Sequence, residues 1–299
     1  MSDYLEHLKR EAQEWSKFSR EQREKQFWEL ESVRRYTGRV FADDEDKPWQ
    51  IYFKEKYGFF ERAVSIGAGD LFVEDMLIAN HIVGQLDCID ISRDAMEKGL
   101  KKSSFKAQLQ LEVQDCNYLD LAEKTYDLVL MHHALHHFVR LDHILKTVRH
   151  SMKDDGLLLV NEYVGESRFQ WSKEKLALCQ RIVETMPHHM RFDGWGRPFP
   201  LEVNLDEMKK HHPFEAAYSD LIPTKLCEYF EPIEARELGG LLHPLLHNRA
   251  SRARSDDFSW LELLCVLDSL CTKLGLRQCY MFGVFRKRKP QAPDRENAP

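Results

Sequence analysis

From Arg62 onwards, short apolar runs alternate with segments whose apolar residues recur at helical spacing. The runs 62–66, 85–90, 109–114, 126–131 and 156–163 predict strands, and 71–80, 93–101 and 137–152 predict helices. The runs 126–131 and 157–160 are almost wholly apolar, as strands covered on both faces must be. After Tyr163 the alternation lapses for about sixty residues. It resumes with helix 223–230, strand 232–238, a largely helical stretch 240–275 and a last strand 278–286. This order predicts an α/β domain with a doubly wound, mostly parallel seven-stranded sheet, over 61–286. Insertions interrupt it after strand five, at about 164–222, and at about 240–275.

Ahead of it, residues 1–60 read as helical. Leu5, Leu8, Ala12 and Trp15 share one face, and a second helical segment runs from Trp49 to Tyr57. Such helices either pack on the domain or close over its pocket as a lid. The polar, proline-containing tail 287–299 predicts disorder.

The sharpest local signal lies at the first strand's end. Gly67 and Gly69 allow a tight turn and a close ligand approach, and the next helix starts directly behind them. Twenty-three positions beyond Gly67, the second strand ends in Asp90. A glycine turn after one strand and an acid ending the next is how an open α/β sheet grips a ribose. Phe72 stands where a dinucleotide fingerprint needs its third glycine, which argues against a pyrophosphate and a nicotinamide oxidoreductase. Strand three ends in Gln114-Asp115-Cys116-Asn117, placing a carboxylate within reach of an adenine. Strand four breaks into the polar loop MHHALHHF at the sheet's carboxyl edge.

With these motifs in order, the chain resembles the class I S-adenosylmethionine-dependent methyltransferases, over about 60–165 and again over 223–286. The ALHHF and NEY segments resemble small-molecule and sugar O-methyltransferases of bacterial type. The resemblance implies a Rossmann-like methyltransferase fold with S-adenosylmethionine as cofactor and S-adenosylhomocysteine as product. Gly67, Ala68 and Gly69 would lie against the methionine, and Asp90 and Ile91 at the ribose. Asp115, Cys116 and Asn117 would meet the adenine, and Met131 and His132 would flank the sulfonium. His133, His136, His137 and Glu162 would border the acceptor as catalytic residues. Ser65 departs from the family's acid two positions before the first glycine, and Leu71 from its third glycine.

A sulfonium is already a strong methyl donor, so catalysis rests on in-line placement of the nucleophile in a dry site. A hydroxyl acceptor also needs a proton acceptor, for which imidazole is suited near neutral pH. The histidines therefore favour O-methylation, and the resemblance implies a hydroxyl of a saccharide or secondary metabolite as acceptor. The alternatives are N-methylation of a small amine and a non-catalytic cofactor-binding subunit. Tyr163, Arg168, Trp171, Arg191, Trp195 and Arg197 are candidate acceptor-binding residues, the arginines for a phosphate or carboxylate. His133 and His137 are four apart, but no HExxH pattern follows, and no metal is expected.

Composition narrows the remainder. A net charge of −6 and a pI near 6.2 argue against nucleic acid as the partner. No apolar run approaches the ~20 residues of a membrane span, and the N-terminus lacks a signal peptide's apolar core. Seven scattered cysteines without a CxxC pair imply reduced thiols and a cytoplasmic setting. The expected partner is a small-molecule acceptor, with a homodimer allowed.

Overall fold

The computed structural model describes residues 2–17 and 26–288; the expected tail therefore falls, from residue 289 on, outside the described residues. Seven strands form one sheet: β1 (Phe60–Ile66), β2 (Val83–Asp90), β3 (Leu109–Val113), β4 (Tyr126–His132), β5 (Met152–Tyr163), β6 (Phe230–Leu238) and β7 (Tyr280–Lys287). Their order is β3-β2-β1-β4-β5-β7-β6. The first five pair in parallel, and β7 enters antiparallel between β5 and β6. The order reverses between β1 and β4, so their carboxyl ends open the crevice where ligands of such sheets bind. The expected doubly wound α/β sheet is therefore present, with a single antiparallel strand at β7.

Two apolar layers hold it together, and β4 shows why. Leu128 and Leu130 point into one layer and Val129 and Met131 into the other, all with no measurable exposure. The first layer is closed by helices Glu31–Ala42 and Phe258–Lys273, the second by Leu141–Ser151 and Ile222–Tyr229. Buried Asp268 ties the first layer together, accepting from the Tyr36 hydroxyl and from the Gly239 and Leu241 amides at 2.7–2.9 Å.

Two local expectations change. The predicted helix 137–152 is a 3-10 turn, Leu135–His137, followed by a helix only from Leu141 to Ser151. Val139 and Arg140 between them are held by Asn117, whose Oδ1 accepts both amides. The strand expected over 156–163 starts earlier, at Met152, and pairs with β4 through a register shift between Tyr126 and Leu128. The insertion after β5 carries helices Lys173–Thr185, His188–Arg191 and Leu205–His211.

Candidate active site

The turn after β1 is shaped for a closely approaching ligand. Gly67 has φ +80°, and a Cβ there would stand 2.3 Å from the Ala134 Cβ, so the turn and the β4 exit loop touch with no room for a side chain. Gly69, at φ +55°, faces open space. Leu71, where the family's third glycine is usual, keeps a left-handed backbone (φ 58°) and buries its side chain completely. That conformation costs on the order of 1–3 kcal/mol in a non-glycine residue, and core burial offsets it.

Asp90 faces this turn. Its Oδ2 accepts the Gly69 amide at 2.9 Å and its Oδ1 the Ser92 amide at 2.7 Å. Each oxygen keeps acceptor capacity for a hydroxyl. Burial raises the Asp90 pKa, partly offset by those two amides. Ser65, in place of the family's acid, donates to Glu74 Oε1 at 2.6 Å, so a buried carboxylate still lies beneath the turn. Gly67, Ala68, Gly69, Glu74, Asp90 and Ile91 all line one cavity of about 950 Å³. These residues fit a nucleoside with a charged amino-acid tail.

Asp115, Cys116 and Asn117 line the same cavity beyond β3. Asp115 Oδ1 accepts the Asn117 amide at 2.9 Å, and Oδ2 accepts the Tyr4 hydroxyl at 2.7 Å. The helix Ser2–Lys17 thus crosses the mouth, and its Leu8, Glu11 and Trp15 line the interior. Met131, expected beside the sulfonium, points into the core instead, because alternation along β4 turns it away from the cavity. His132 lines the cavity, stacked on Trp49 at 5.9 Å and 3.2 Å from Asn161 Nδ2.

The loop after β4 gathers the titratable groups. Glu162, fully buried, accepts the amides of Ala134 (2.8 Å), Leu135 (2.5 Å) and Tyr163 (3.0 Å) and holds His136 Nδ1. Burial opposes its charge, but His136 outweighs that and lowers its pKa. Glu162 is therefore an anchor, with its lone pairs committed, rather than a group that moves a proton. Burial likewise opposes a charged His136, yet the adjoining Glu162, then Glu215, lift it to about 10. His136 is protonated near neutral pH and cannot serve as a base in that state.

His137 differs. Its Nδ1 lies 3.1 Å from Glu11 Oε1 and its Nε2 3.6 Å from Glu215 Oε2, but neither nitrogen completes a hydrogen bond. The Trp15 ring meets it edge-on at 5.0 Å. Glu215 also stands 3.4 Å from His136 Nε2. Burial works against the Glu215 charge, but the His137 and His136 rings hold its pKa far below the usual range. His133, at φ 51°, lies against Trp28 and Tyr280 and lines the far end.

That far end is walled by Trp28, Tyr163, Phe169, His243, His247 and Tyr280. His243 Nδ1 meets the Tyr280 hydroxyl at 2.5 Å, and burial drives its pKa well below the ordinary value. Of the six candidate acceptor-binding residues, only Tyr163 is here. Arg168 donates to the backbone carbonyls of His212, Pro213 and Glu215, fixing the loop that carries Glu215. Trp171 is buried on Leu201 O, and Arg191 lies outside the lining. Trp195 is 85% exposed and Arg197 pairs with Asp193, both on a surface loop. The arginines thus do not converge on an anion: among the described residues no Lys or Arg lines the cavity, whereas Glu11, Asp90, Glu202, Glu207 and Glu215 do.

Sequence reasoning missed Tyr4, Glu11, Glu215, His243 and His247. Glu11 was accessible, since it sits between Leu8 and Trp15 on the apolar face. Glu215 lies in an irregular loop with no periodicity to mark it.

Residues 64–158 match the family described as a methyltransferase domain. No curated protein matches the chain. Two solved structures of a phosphoethanolamine N-methyltransferase 2 from Haemonchus contortus share its fold, one in complex with S-adenosyl-L-methionine and one with S-adenosylhomocysteine and phosphomonomethylethanolamine. Each superposes with a TM-score of 0.51 over 88% of this chain, at 13% and 12% identity respectively. The chain spans 58% of the length of those proteins. Residues 64–158 are thus similar to a methyltransferase domain and lie in a Rossmann-like sheet, consistent with S-adenosylmethionine as cofactor.

Proposed function

We propose that the protein is an S-adenosylmethionine-dependent methyltransferase for a small, polar, uncharged acceptor, with a saccharide or metabolite hydroxyl as the leading class. The observation that carries this is the continuity of one cavity from the Gly67–Gly69 turn and Asp90 to His137, Glu11 and the aromatic far wall. When bound, the cofactor supplies an electrophilic methyl group. Asp90 would hold the ribose hydroxyls, Asp115 the adenine, and Glu74 the amino group that Ser65 cannot. Tyr163, Phe169 and Tyr280 would pack the acceptor, the His137–Glu11 pair would receive its proton, and the helix Ser2–Lys17 would keep water out.

Among the described residues, no Lys or Arg lines the cavity to pair with a phosphorylated or carboxylated acceptor. The excess of carboxylates supports a second reading, in which a small amine is methylated at nitrogen. Incubation with methyl-labelled cofactor and a panel of saccharides, hydroxylated metabolites and amines, read by mass spectrometry, decides between them. A labelled methyl ether is expected. Labelled amine products would favour the second reading, and no product from a cofactor-binding protein would favour a non-catalytic partner.

A further inference from the structure

Five side chains around the β4 exit loop are arranged in two shells. In the inner shell, His136, His137 and Glu215 each offer a donor atom, all within 4.8 Å of one another. Glu215 presents Oε1 at 3.4 Å from His136 Nε2 and Oε2 at 3.6 Å from His137 Nε2. A tetrahedral ion with bonds of about 2.1 Å holds its ligand atoms about 3.4 Å apart, and each imidazole Nε2 has one Glu215 oxygen near that separation. In the outer shell, each imidazole has its Nδ1 against a carboxylate. Glu162 holds His136, and Glu11 Oε1 lies 3.1 Å from His137. A carboxylate behind each ligating imidazole is the arrangement that orients histidines toward a metal and raises their basicity.

A second observation points the same way. His137 is nine-tenths buried and lines the cavity, yet neither ring nitrogen has a hydrogen-bond partner, and Glu11 Oε2 lacks one too. Buried polar atoms left without a partner lose their hydration with nothing in exchange. A cation between the rings and Glu215 would satisfy His137 Nε2 and leave the proton on Nδ1, which faces Glu11 Oε1. It would take the position of the proton that His136 otherwise shares with Glu215. Glu215 itself is aimed by Arg168, which grips the carbonyls of His212, Pro213 and Glu215.

We propose that His136, His137 and Glu215 form a binding site for one first-row divalent ion, zinc by preference for two imidazoles and a carboxylate. Glu162 and Glu11 are the outer-shell residues. Three protein ligands leave a fourth position open toward the cavity. An acceptor hydroxyl ligated there loses its proton more readily, with Glu11 placed to receive it. This deepens the hydroxyl reading above and rests on it for its catalytic consequence, but the binding site stands apart from it. It also explains why no metal was expected from sequence: Glu215 lies 78 residues beyond His137, in a loop with no ligand spacing to mark it.

The test uses the full chain, stripped with a chelator and titrated with zinc by calorimetry, with S-adenosylhomocysteine affinity measured in parallel. One zinc per chain is expected. Glu215→Gln, close to isosteric, should lose stoichiometric binding, while Glu11→Gln should weaken it about 10- to 100-fold. Cobalt-loaded protein should show ligand-field absorption that Glu215→Gln abolishes. His137→Ala provides a second variant should Glu215→Gln unfold. Less than one zinc per chain, or unchanged affinity in a folded variant of either ligand, overturns the site. Retained S-adenosylhomocysteine binding in that case leaves the methyltransferase reading intact.

Discussion

The Tyr4 hydroxyl donates to Asp115 Oδ2 at 2.7 Å, joining the first helix to the loop after β3. Tyr4 also meets Tyr118 edge-on at 5.7 Å and Phe214 at 5.5 Å. One residue therefore links the helix, the Asp115 end of the cavity and the insertion that carries Glu215. Burial, with Asp115 adding to it, drives the Tyr4 pKa upwards, so the phenol remains a donor.

Tyr4→Phe removes one hydrogen bond to the Asp115 side chain while keeping the ring. A loss of about 1–1.5 kcal/mol, or some five- to tenfold in cofactor affinity, is expected. Calorimetry with S-adenosylhomocysteine measures it, and unchanged affinity would detach the first helix from cofactor binding.

Glu162 is the most heavily engaged carboxylate of the site. Glu162→Gln leaves the amides of Ala134, Leu135 and Tyr163 short of a charged acceptor and His136 without its counter-charge. Breaking a buried pair in this way costs about 3–5 kcal/mol. Denaturant unfolding should show that loss. A variant as stable as the parent would mean that Glu162 does not anchor the loop and is available for chemistry.

The far wall predicts a pH dependence of stability. Burial lowers the pKa of His243 well below its ordinary 6.5, and that of His247 also below it. Below about 6.5 the unfolded chain binds protons that the folded rings refuse, so stability falls as pH falls. Above 6.5 both states are neutral and the contribution is flat. His243→Phe should reduce the slope of unfolding free energy between pH 6.5 and 5, whereas an unaltered slope would show that His243 titrates normally.

Much of the proposed cofactor half was readable from the chain because it lies at the ends of regular elements. Asp90 ends β2, and Gly67, Gly69 and Asp115 follow within three residues of the ends of β1 and β3, so all four lie at the sheet's carboxyl edge. Alternation along β4 turns Met131 into the core, a distinction a strand-end motif does not draw by itself. The acceptor half was far less legible. Its groups come from four separate segments: Glu11 from the first helix, His137 from a 3-10 turn, Glu215 from a loop, and His243 from a five-residue helix. Only long-range packing brings them together. The arginines and Trp195 of the insertion looked like acceptor ligands by residue type alone. In the fold, Arg168 serves the backbone, while Arg197 and Trp195 lie on a loop at the surface.

Asp90 gives the most direct test of the whole account. Calorimetric titration of the parent protein with S-adenosylhomocysteine should give one site with micromolar affinity, and Asp90→Ala should weaken it by about two orders of magnitude, as expected for two lost hydrogen bonds to a charged group. Absence of binding by the folded parent, or equal affinity in Asp90→Ala, would contradict the placement of the ribose at Asp90 beside the Gly67–Gly69 turn.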